Sequence, residues 1–162
     1  MSRELRLAER GFDQAFQRIA AAKSEDDAVI ALHDALGSVF SLESFHIRRL
    51  DPIPVKHQPN RGPYDAHRAA AKSQGEVVAA MAWARDFAAH ELVVTSDLGE
   101  LLSDVFTETF GVLVWRDKDD LPPTRFKTHG RDTHYKNRLE GKPVPETLLL
   151  AREFFTDIIP KV

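Results

Sequence analysis

The stretch EVVAAMAWARDFAAHELVV, residues 76–94, decides the fold class of this chain. It is rich in Ala, Met and Leu and contains neither Gly nor Pro, so it predicts the most regular helix of the sequence. Its apolar residues surround nearly the whole circumference of such a helix, whereas a surface helix keeps one polar face. The stretch therefore indicates a helix buried on most sides, either in the middle of a bundle or against another subunit.

Helical patterns also precede this stretch. Apolar residues recur at spacings of three and four, which predicts an amphipathic helix over residues 5–23. Ser24 followed by Asp27 is a variant of a capping box and opens a second helix, which is expected to end at Gly37. A further helical turn is expected within 42–50.

The remainder of the chain alternates between helix breakers and helical patterns. Residues 51–63 read DPIPVKHQPNRGP, and four prolines and one glycine in this stretch predict a loop. Residues 97–110 predict another helix, and the β-branched and aromatic residues of 111–116 predict a short strand. One or two helical turns are expected over 131–140 and a last helix over 146–159. The sum is a mainly α protein, a bundle of about five or six helices.

Composition limits the class of protein. The chain has 162 residues, of which 43% are hydrophobic and 29% charged, and this balance predicts one domain, 1–162, with a sizeable core. Cysteine is absent, which excludes disulfide scaffolds and thiolate chemistry and fits a reducing compartment. The longest apolar run, 77–84, is far below the roughly 20 residues that cross a bilayer. The start MSRELRLAER lacks a signal-peptide core, so we expect a cytoplasmic protein without membrane contact.

The middle of the apolar helix carries Arg85, Asp86 and His90, three ionisable residues that a buried helix rarely accepts without a reason. In a helix, Asp86 and His90 lie about 40° apart on one face, so the carboxylate can orient the imidazole, and Arg85 lies beside them. A permanently charged Arg, a His that exchanges protons near neutrality and a carboxylate that fixes its tautomer are the groups that metal-free phosphodiester chemistry requires. The cluster is therefore the candidate catalytic site.

The string RDFAAH, from Arg85 to His90, resembles the signature of the HEPN superfamily: an Arg, a polar residue, then a His after a short spacer. The resemblance implies an all-α domain that forms a homodimer, in which two motif helices meet in one composite ribonuclease site. It implies cleavage of RNA without metal or cofactor, with the ribose 2′-OH as the attacking group. On this basis Arg85 would bind the scissile phosphate, His90 would move protons, and Asp86 would fill the polar position.

Two further observations bear on the resemblance. Arg61 and His67 form a looser match, but they enclose Gly62 and Pro63, so this match is not expected to be helical. Toxins of this superfamily that are neutralised by Tyr modification carry that Tyr two residues after the motif His, where this chain has Leu92. Regulation by Tyr modification is therefore not expected, and any neutralising protein partner is unknown.

The same motif residues also fit a purely structural role. Arg85 would then pair with acids elsewhere, such as Glu91 or those of 97–108, and His90 would be a satisfied, partly buried histidine. In that case the chain is a non-catalytic helical binding or scaffolding module, dimeric and without turnover.

Basic residues concentrate in two stretches, 44–75 and 123–142, each with six Lys or Arg against two Asp or Glu. Together they predict a polyanion-binding surface, on which Tyr135 offers a ring for base stacking. The candidate RNA-binding residues are Lys127, Arg131, Tyr135, Lys136 and Arg138. Trp83 and Trp115 lie in apolar runs and are expected to be core or interface anchors.

A metal site is the alternative interpretation of the second basic stretch. His129, Asp132 and His134 could supply two imidazoles and a carboxylate. No further His or Glu stands at metal-ligand spacing, so we expect no metal site.

Overall fold

The computed structural model describes residues 2–51, 60–96, 112–123 and 130–159, and these residues are mainly α-helical. The helices are α1 (Arg3–Ala20), α2 (Glu25–Leu50), α3 (Gly62–Ala70), α4 (Ser73–Ala84), α5 (Ala89–Leu92), α6 (Arg131–Arg138) and α7 (Val144–Glu153). The strands β1 (Val93–Ser96) and β2 (Val112–Trp115) form an antiparallel pair. The mainly α class and the short strand near 111–116 are confirmed, and the expected turns of 131–140 and last helix are present as α6 and α7. The predicted helix over 97–110 and most of the Pro-rich loop lie outside the described residues.

An antiparallel hairpin of α1 and α2 begins the fold. Ser24 caps α2 by accepting a hydrogen bond from the Asp27 N–H at 3.2 Å, as the capping pattern predicts. Arg18 near the end of α1 bonds to Asp34 near the start of α2, while Glu4 and Arg48 approach at the other end. The two helices therefore run in opposite directions.

Helix α2 continues through Gly37, so the predicted end at this residue is wrong. Leu36 and Val39 on either side of it are buried, and the packing of this face outweighs the roughly 1 kcal/mol that an interior glycine costs. Of the helices in the described ranges, α2 alone is long and apolar enough by composition to cross a membrane. Within its most apolar window, 44% of the residues are buried inside the protein.

Helix α4 is the centre of the bundle. It packs against α2, α3, α6 and α7, and Val77, Val78 and Met81 have no exposed surface. The apolar circumference predicted for 76–94 is thus covered within one protomer as far as Ala84. This circumference gives no support to the expected homodimer, which stays a prediction.

The continuous helix predicted over 76–94 is wrong beyond Ala84. Residues 85–88 form a turn, the single turn α5 follows, and β1 pairs with β2 from Val93 opposite Trp115 to Ser96 opposite Val112. The β-branched residues of β1 favour a strand once a partner is available, and this partner is distant in the sequence. Long-range pairing therefore prevails over the local helical pattern.

Helix α3 begins at Gly62, so the expectation that Arg61 and His67 enclose a non-helical segment is also wrong. Pro63 lies in the first turn of α3, where a missing backbone N–H costs nothing because that donor has no partner within a helix. His67 lies in the last turn and is partly exposed.

Helices α3 and α4 approach very closely at Gly75. A Cβ atom built on Gly75 would lie 1.8 Å from the carbonyl oxygen of Arg68 in α3. Only a residue without a side chain permits this contact between two backbones. The close approach fixes the position of Arg68 relative to the central helix.

Aromatic side chains hold α6 against the core. The Tyr135 ring lies 5.0 Å from that of Trp83 and 6.2 Å from that of Trp115, measured between centroids. Its hydroxyl donates to the carbonyl oxygen of Arg116 at 2.8 Å, and the Trp115 indole donates to Thr147 at 2.8 Å. Trp83 and Trp115 are core residues, as expected.

Both tyrosines of the chain should resist alkaline ionisation. Tyr64 and Tyr135 are buried, and burial raises the pKa of each phenol above its ordinary value. Each therefore contributes stability below the unfolded pKa of about 10, and this stability is lost as the pH rises toward the folded pKa. Absorbance at 295 nm should stay low in native protein at pH 10.5 and rise only with unfolding. Protein in denaturant, the control, should show both phenols titrating near pH 10, and native protein that does the same would contradict the burial.

Candidate functional site

Arg85, Asp86 and His90 lie on an exposed segment between α4 and β1. Arg85 ends α4, and its guanidinium carbon lies 3.8 Å from the centroid of the Phe40 ring. Its ionic contact is with Asp86, at 3.7 Å. His90 in α5 is exposed. All three side chains are therefore accessible to a ligand or to a second protomer.

This placement corrects two expectations about the motif. The motif does not lie on one helix, so the 40° relation between Asp86 and His90 does not apply, and the two side chains make no hydrogen bond with each other. The structural alternative placed His90 partly inside the protein and paired Arg85 with Glu91 or with the acids of 97–108. His90 is instead exposed, and Arg85 contacts Asp86 rather than Glu91. The acids of 97–108 lie outside the described residues.

An apolar groove adjoins Arg85. It lies between α1 and α2, has a volume of about 640 Å³ and includes Leu7, Phe40 and Phe45. Leu7 is 58% exposed and Phe40 45% exposed, which is high for large apolar side chains. The Arg85 guanidinium stacks on the Phe40 ring and so borders this groove.

The predicted RNA-binding residues of the second basic stretch have different surroundings. Tyr135 is fully buried, so it cannot stack on a base, and this expectation is wrong. Arg138 is bound to Glu76 at 2.5 Å, whereas Lys136 is 54% exposed and lies 3.9 Å from Asp119. Lys127 lies outside the described residues. The remaining residue of this set, Arg131, is partly buried at the start of α6.

A buried carboxylate, Glu43, organises a second group of charges that the sequence did not predict. Its side chain is only 3% exposed and lies 2.8 Å from the Arg61 guanidinium and 3.5 Å from that of Arg68. Asp65 contacts the same two arginines, at 3.8 Å and 3.1 Å. We call Glu43, Arg61, Asp65 and Arg68 the Glu43 cluster.

Arg131, at the start of α6, is partly buried. Burial lowers the pKa of its guanidinium, and the charges of Glu43, Arg61 and Arg68 act on it as well. Within the described parts of the chain Arg131 makes neither an ion pair nor a hydrogen bond.

The Tyr64 hydroxyl lies beside the same charges. It is buried and has no hydrogen-bond partner within the described residues. Burial raises the pKa of Tyr64, and the negative charge of Glu43 raises it further. A donor is therefore left unsatisfied next to a group of cations.

No group of three potential metal ligands occurs among the described residues. Of the residues weighed for a metal, Asp132 is bound to Lys118 at 2.9 Å and His129 lies outside the described ranges. Asp132 is therefore already neutralised by a cation.

Two groups that contain arginine thus lie against neighbouring positions of α2. The Phe40 ring stacks on the Arg85 guanidinium. Glu43, three residues further along α2, forms ion pairs with Arg61 and Arg68. No family model, no curated protein and no solved structure matches this chain.

Proposed function

We propose that the chain is a metal-independent endoribonuclease of the HEPN type, which acts as a homodimer with a composite Arg/His site. The observation that carries this proposal is the joint accessibility of Arg85, Asp86 and His90 on one short segment. The segment is held at both ends, because Ala84 before it and Leu92 after it have no exposed surface. A short exposed loop on a rigid support is a common setting for catalytic groups.

The chemistry assigns one role to each group. The Arg85 guanidinium binds the scissile phosphate and stabilises the charge that develops on it, since Arg stays protonated. The ribose 2′-OH attacks phosphorus and the 5′-oxygen leaves, so the products are a 2′,3′-cyclic phosphate and a 5′-hydroxyl. His90 takes up or delivers a proton in this step.

A second protomer completes such a site. Transfer of one proton from the 2′-OH and of another to the leaving oxygen is easier with two imidazoles, and each protomer carries one at position 90. The apolar groove beside Arg85 supplies a surface that the second copy can cover, because Leu7 and Phe40 are exposed there. These features support the homodimer.

Cleavage of single-stranded RNA in excess EDTA tests the proposal. Arg85→Ala and His90→Ala should each lower the rate by about 10²-fold or more, because charge stabilisation and proton transfer are each worth that much. The melting temperature should change little because both side chains are exposed. Arg10→Ala and His33→Ala are matched controls, exposed residues of the same types on α1 and α2, and should cleave at the wild-type rate.

Two results would contradict the nuclease. One is wild-type protein that never cuts RNA, and the other is a pair of variants, R85A and H90A, that cut as fast as the controls. Sedimentation at micromolar concentration should show a dimer, and a monomer would remove the composite site.

A dimeric binding or scaffolding module without turnover is the second candidate. It is favoured by the absence of a hydrogen bond between Asp86 and His90, since an imidazole without a partner to orient it is poorly positioned for proton transfer. If this candidate is correct, the protein binds RNA, and the bound RNA is recovered at full length.

A further inference from the structure

We infer that the apolar groove beside Arg85 is a nucleobase site, in which an RNA base next to the scissile phosphate stacks on the Phe40 ring. The inference deepens the proposed function and rests on it for the position of the phosphate at Arg85. It adds to the motif a set of binding residues that belong to α1 and α2.

The first argument is the position of Phe40. The Arg85 guanidinium carbon lies 3.8 Å from the centroid of this ring, so a phosphate bound by Arg85 and a base on Phe40 can belong to one nucleotide or to two neighbouring ones. The ring is 45% exposed although Arg85 contacts it, which leaves a surface open for a second flat group. Proteins that hold single-stranded RNA combine these two parts, a cation for the backbone and an aromatic ring for the base.

The second argument is the charge of the groove. Among the described residues, the charged side chains that line it are Glu4 and Arg48, which lie 3.6 Å apart and compensate each other. A groove without excess charge gives a phosphate no net attraction, whereas a neutral base needs only a ring on which to stack. At the border of the groove, the contact of Arg85 with Asp86 is long, at 3.7 Å, and partly exposed, so it is weak. We therefore expect the phosphate at Arg85 and the base inside the groove.

The third argument is the pair of hydroxyl groups that line the groove. The Ser38 hydroxyl donates to the carbonyl oxygen of Asp34 and the Ser41 hydroxyl to that of Gly37, each at 3.0 Å. Because the donors are used, the lone pairs of both hydroxyl oxygens remain as acceptors. Acceptors match the amino group of adenine, cytosine or guanine, so we expect these bases to bind better than uracil.

The groove also leaves room for the second protomer. Its volume of about 640 Å³ is that of a pocket for a drug-sized ligand, so one base fills only a part of it. The second copy can cover the remaining apolar surface, to which the exposed Leu7 belongs.

The experiment measures the binding of a fluorescent 12-nucleotide 2′-O-methyl oligoadenylate, which cannot be cut because its 2′-oxygens are blocked. Phe40→Leu keeps an apolar side chain but removes the ring, so it should bind this probe about tenfold more weakly, the cost of one lost stacking contact. Phe40→Tyr keeps the ring and should bind as tightly as the wild type. Ile30→Ala is the control, because Ile30 is an exposed apolar residue of α2 outside the groove, and it should also bind as the wild type does.

A second probe, of the same length and charge but without bases, identifies the part of the nucleotide that Phe40 contacts. The wild type, F40L and I30A should bind this abasic probe equally, because its phosphates remain. Sedimentation should give F40L the oligomeric state of the wild type.

Four results would overturn the inference. F40L binds the oligoadenylate as tightly as I30A does, it loses the same affinity for the abasic probe, or no oligoadenylate binds to wild-type protein. The fourth is an F40L protein that becomes monomeric, which would mean that the second copy occupies Phe40. The nuclease is tested separately: wild-type protein that binds oligoadenylate through Phe40 but never cuts RNA would contradict the nuclease and leave the base site standing.

Discussion

Alanine in place of Gly75 should destabilise the protein by about 3 kcal/mol or more, at the upper end of what overpacking costs. The new Cβ would lie 1.8 Å from the carbonyl oxygen of Arg68 and 2.7 Å from its carbonyl carbon, and both are backbone atoms of α3. A flexible side chain could rotate away from such a contact, but a helix backbone cannot. Helix α3 must therefore move away from α4, and the contact between Arg68 and Glu43 is disturbed with it.

Urea denaturation measures this effect, and Gly37→Ala is the control. Gly37 lies inside α2, where an added Cβ would meet nothing within 4 Å. Alanine is the better helix former, so Gly37→Ala should stabilise the protein by up to about 1 kcal/mol. Replacing glycine with alanine should therefore lower the free energy of unfolding at position 75 and raise it at position 37. Equal changes at the two positions would contradict the close approach of α3 and α4.

Removal of the Glu43 carboxylate is the second large effect. Glu43→Leu should lower the free energy of unfolding by about 3 kcal/mol, because it leaves the Arg61 and Arg68 guanidinium groups facing a partly buried place without their main counter-charge. Glu43→Gln keeps the shape and one hydrogen-bond acceptor, so it should cost less than Glu43→Leu. Chemical denaturation of both variants measures their free energies of unfolding and shows which substitution costs more.

The control for Glu43 is an ion pair that is shorter but exposed. Arg18 and Asp34 approach to 2.6 Å, and their side chains are 53% and 47% exposed. Water screens such a pair, so Asp34→Asn should cost at most about 1 kcal/mol despite the shorter distance. An Asp34 variant that loses more stability than the Glu43 variants would mean that burial does not determine the strength of these pairs.

Local signals in the sequence predict much of the fold. The spacing of apolar residues identifies α1 and α7, and the Ser24 cap places the start of α2 correctly. The errors arise where distant contacts decide. Helix α2 passes Gly37 because its buried face packs along the bundle, and the chain leaves the helix after Ala84 because β1 finds its partner in β2.

The candidate site is less predictable for the same reason. The RDFAAH string identifies three exposed residues, but the string alone does not reveal that the supporting helix ends at Ala84. The burial of Glu43 is not predicted, because a lone acid in a helix usually faces water. A signal does exist: Glu43 and His46 continue the spacing of Leu36 and Val39 along the buried stripe of α2, where an apolar residue is expected. The arginines that contact Glu43, Arg61 and Arg68, come from the start and the interior of α3, and no local pattern connects them with α2.

The contact of both tryptophans with Tyr135 makes the intrinsic fluorescence of this protein a local reporter. Trp83 and Trp115 are the two indoles of the chain, and each packs against the ring that holds α6 in place. Their emission will therefore respond to detachment of α6 from α4, whereas separation of the hairpin of α1 and α2 leaves both indoles in contact with Tyr135. Circular dichroism responds to all helices, so an unfolding curve that coincides in the two signals would establish that the hairpin and the centre of the bundle unfold together.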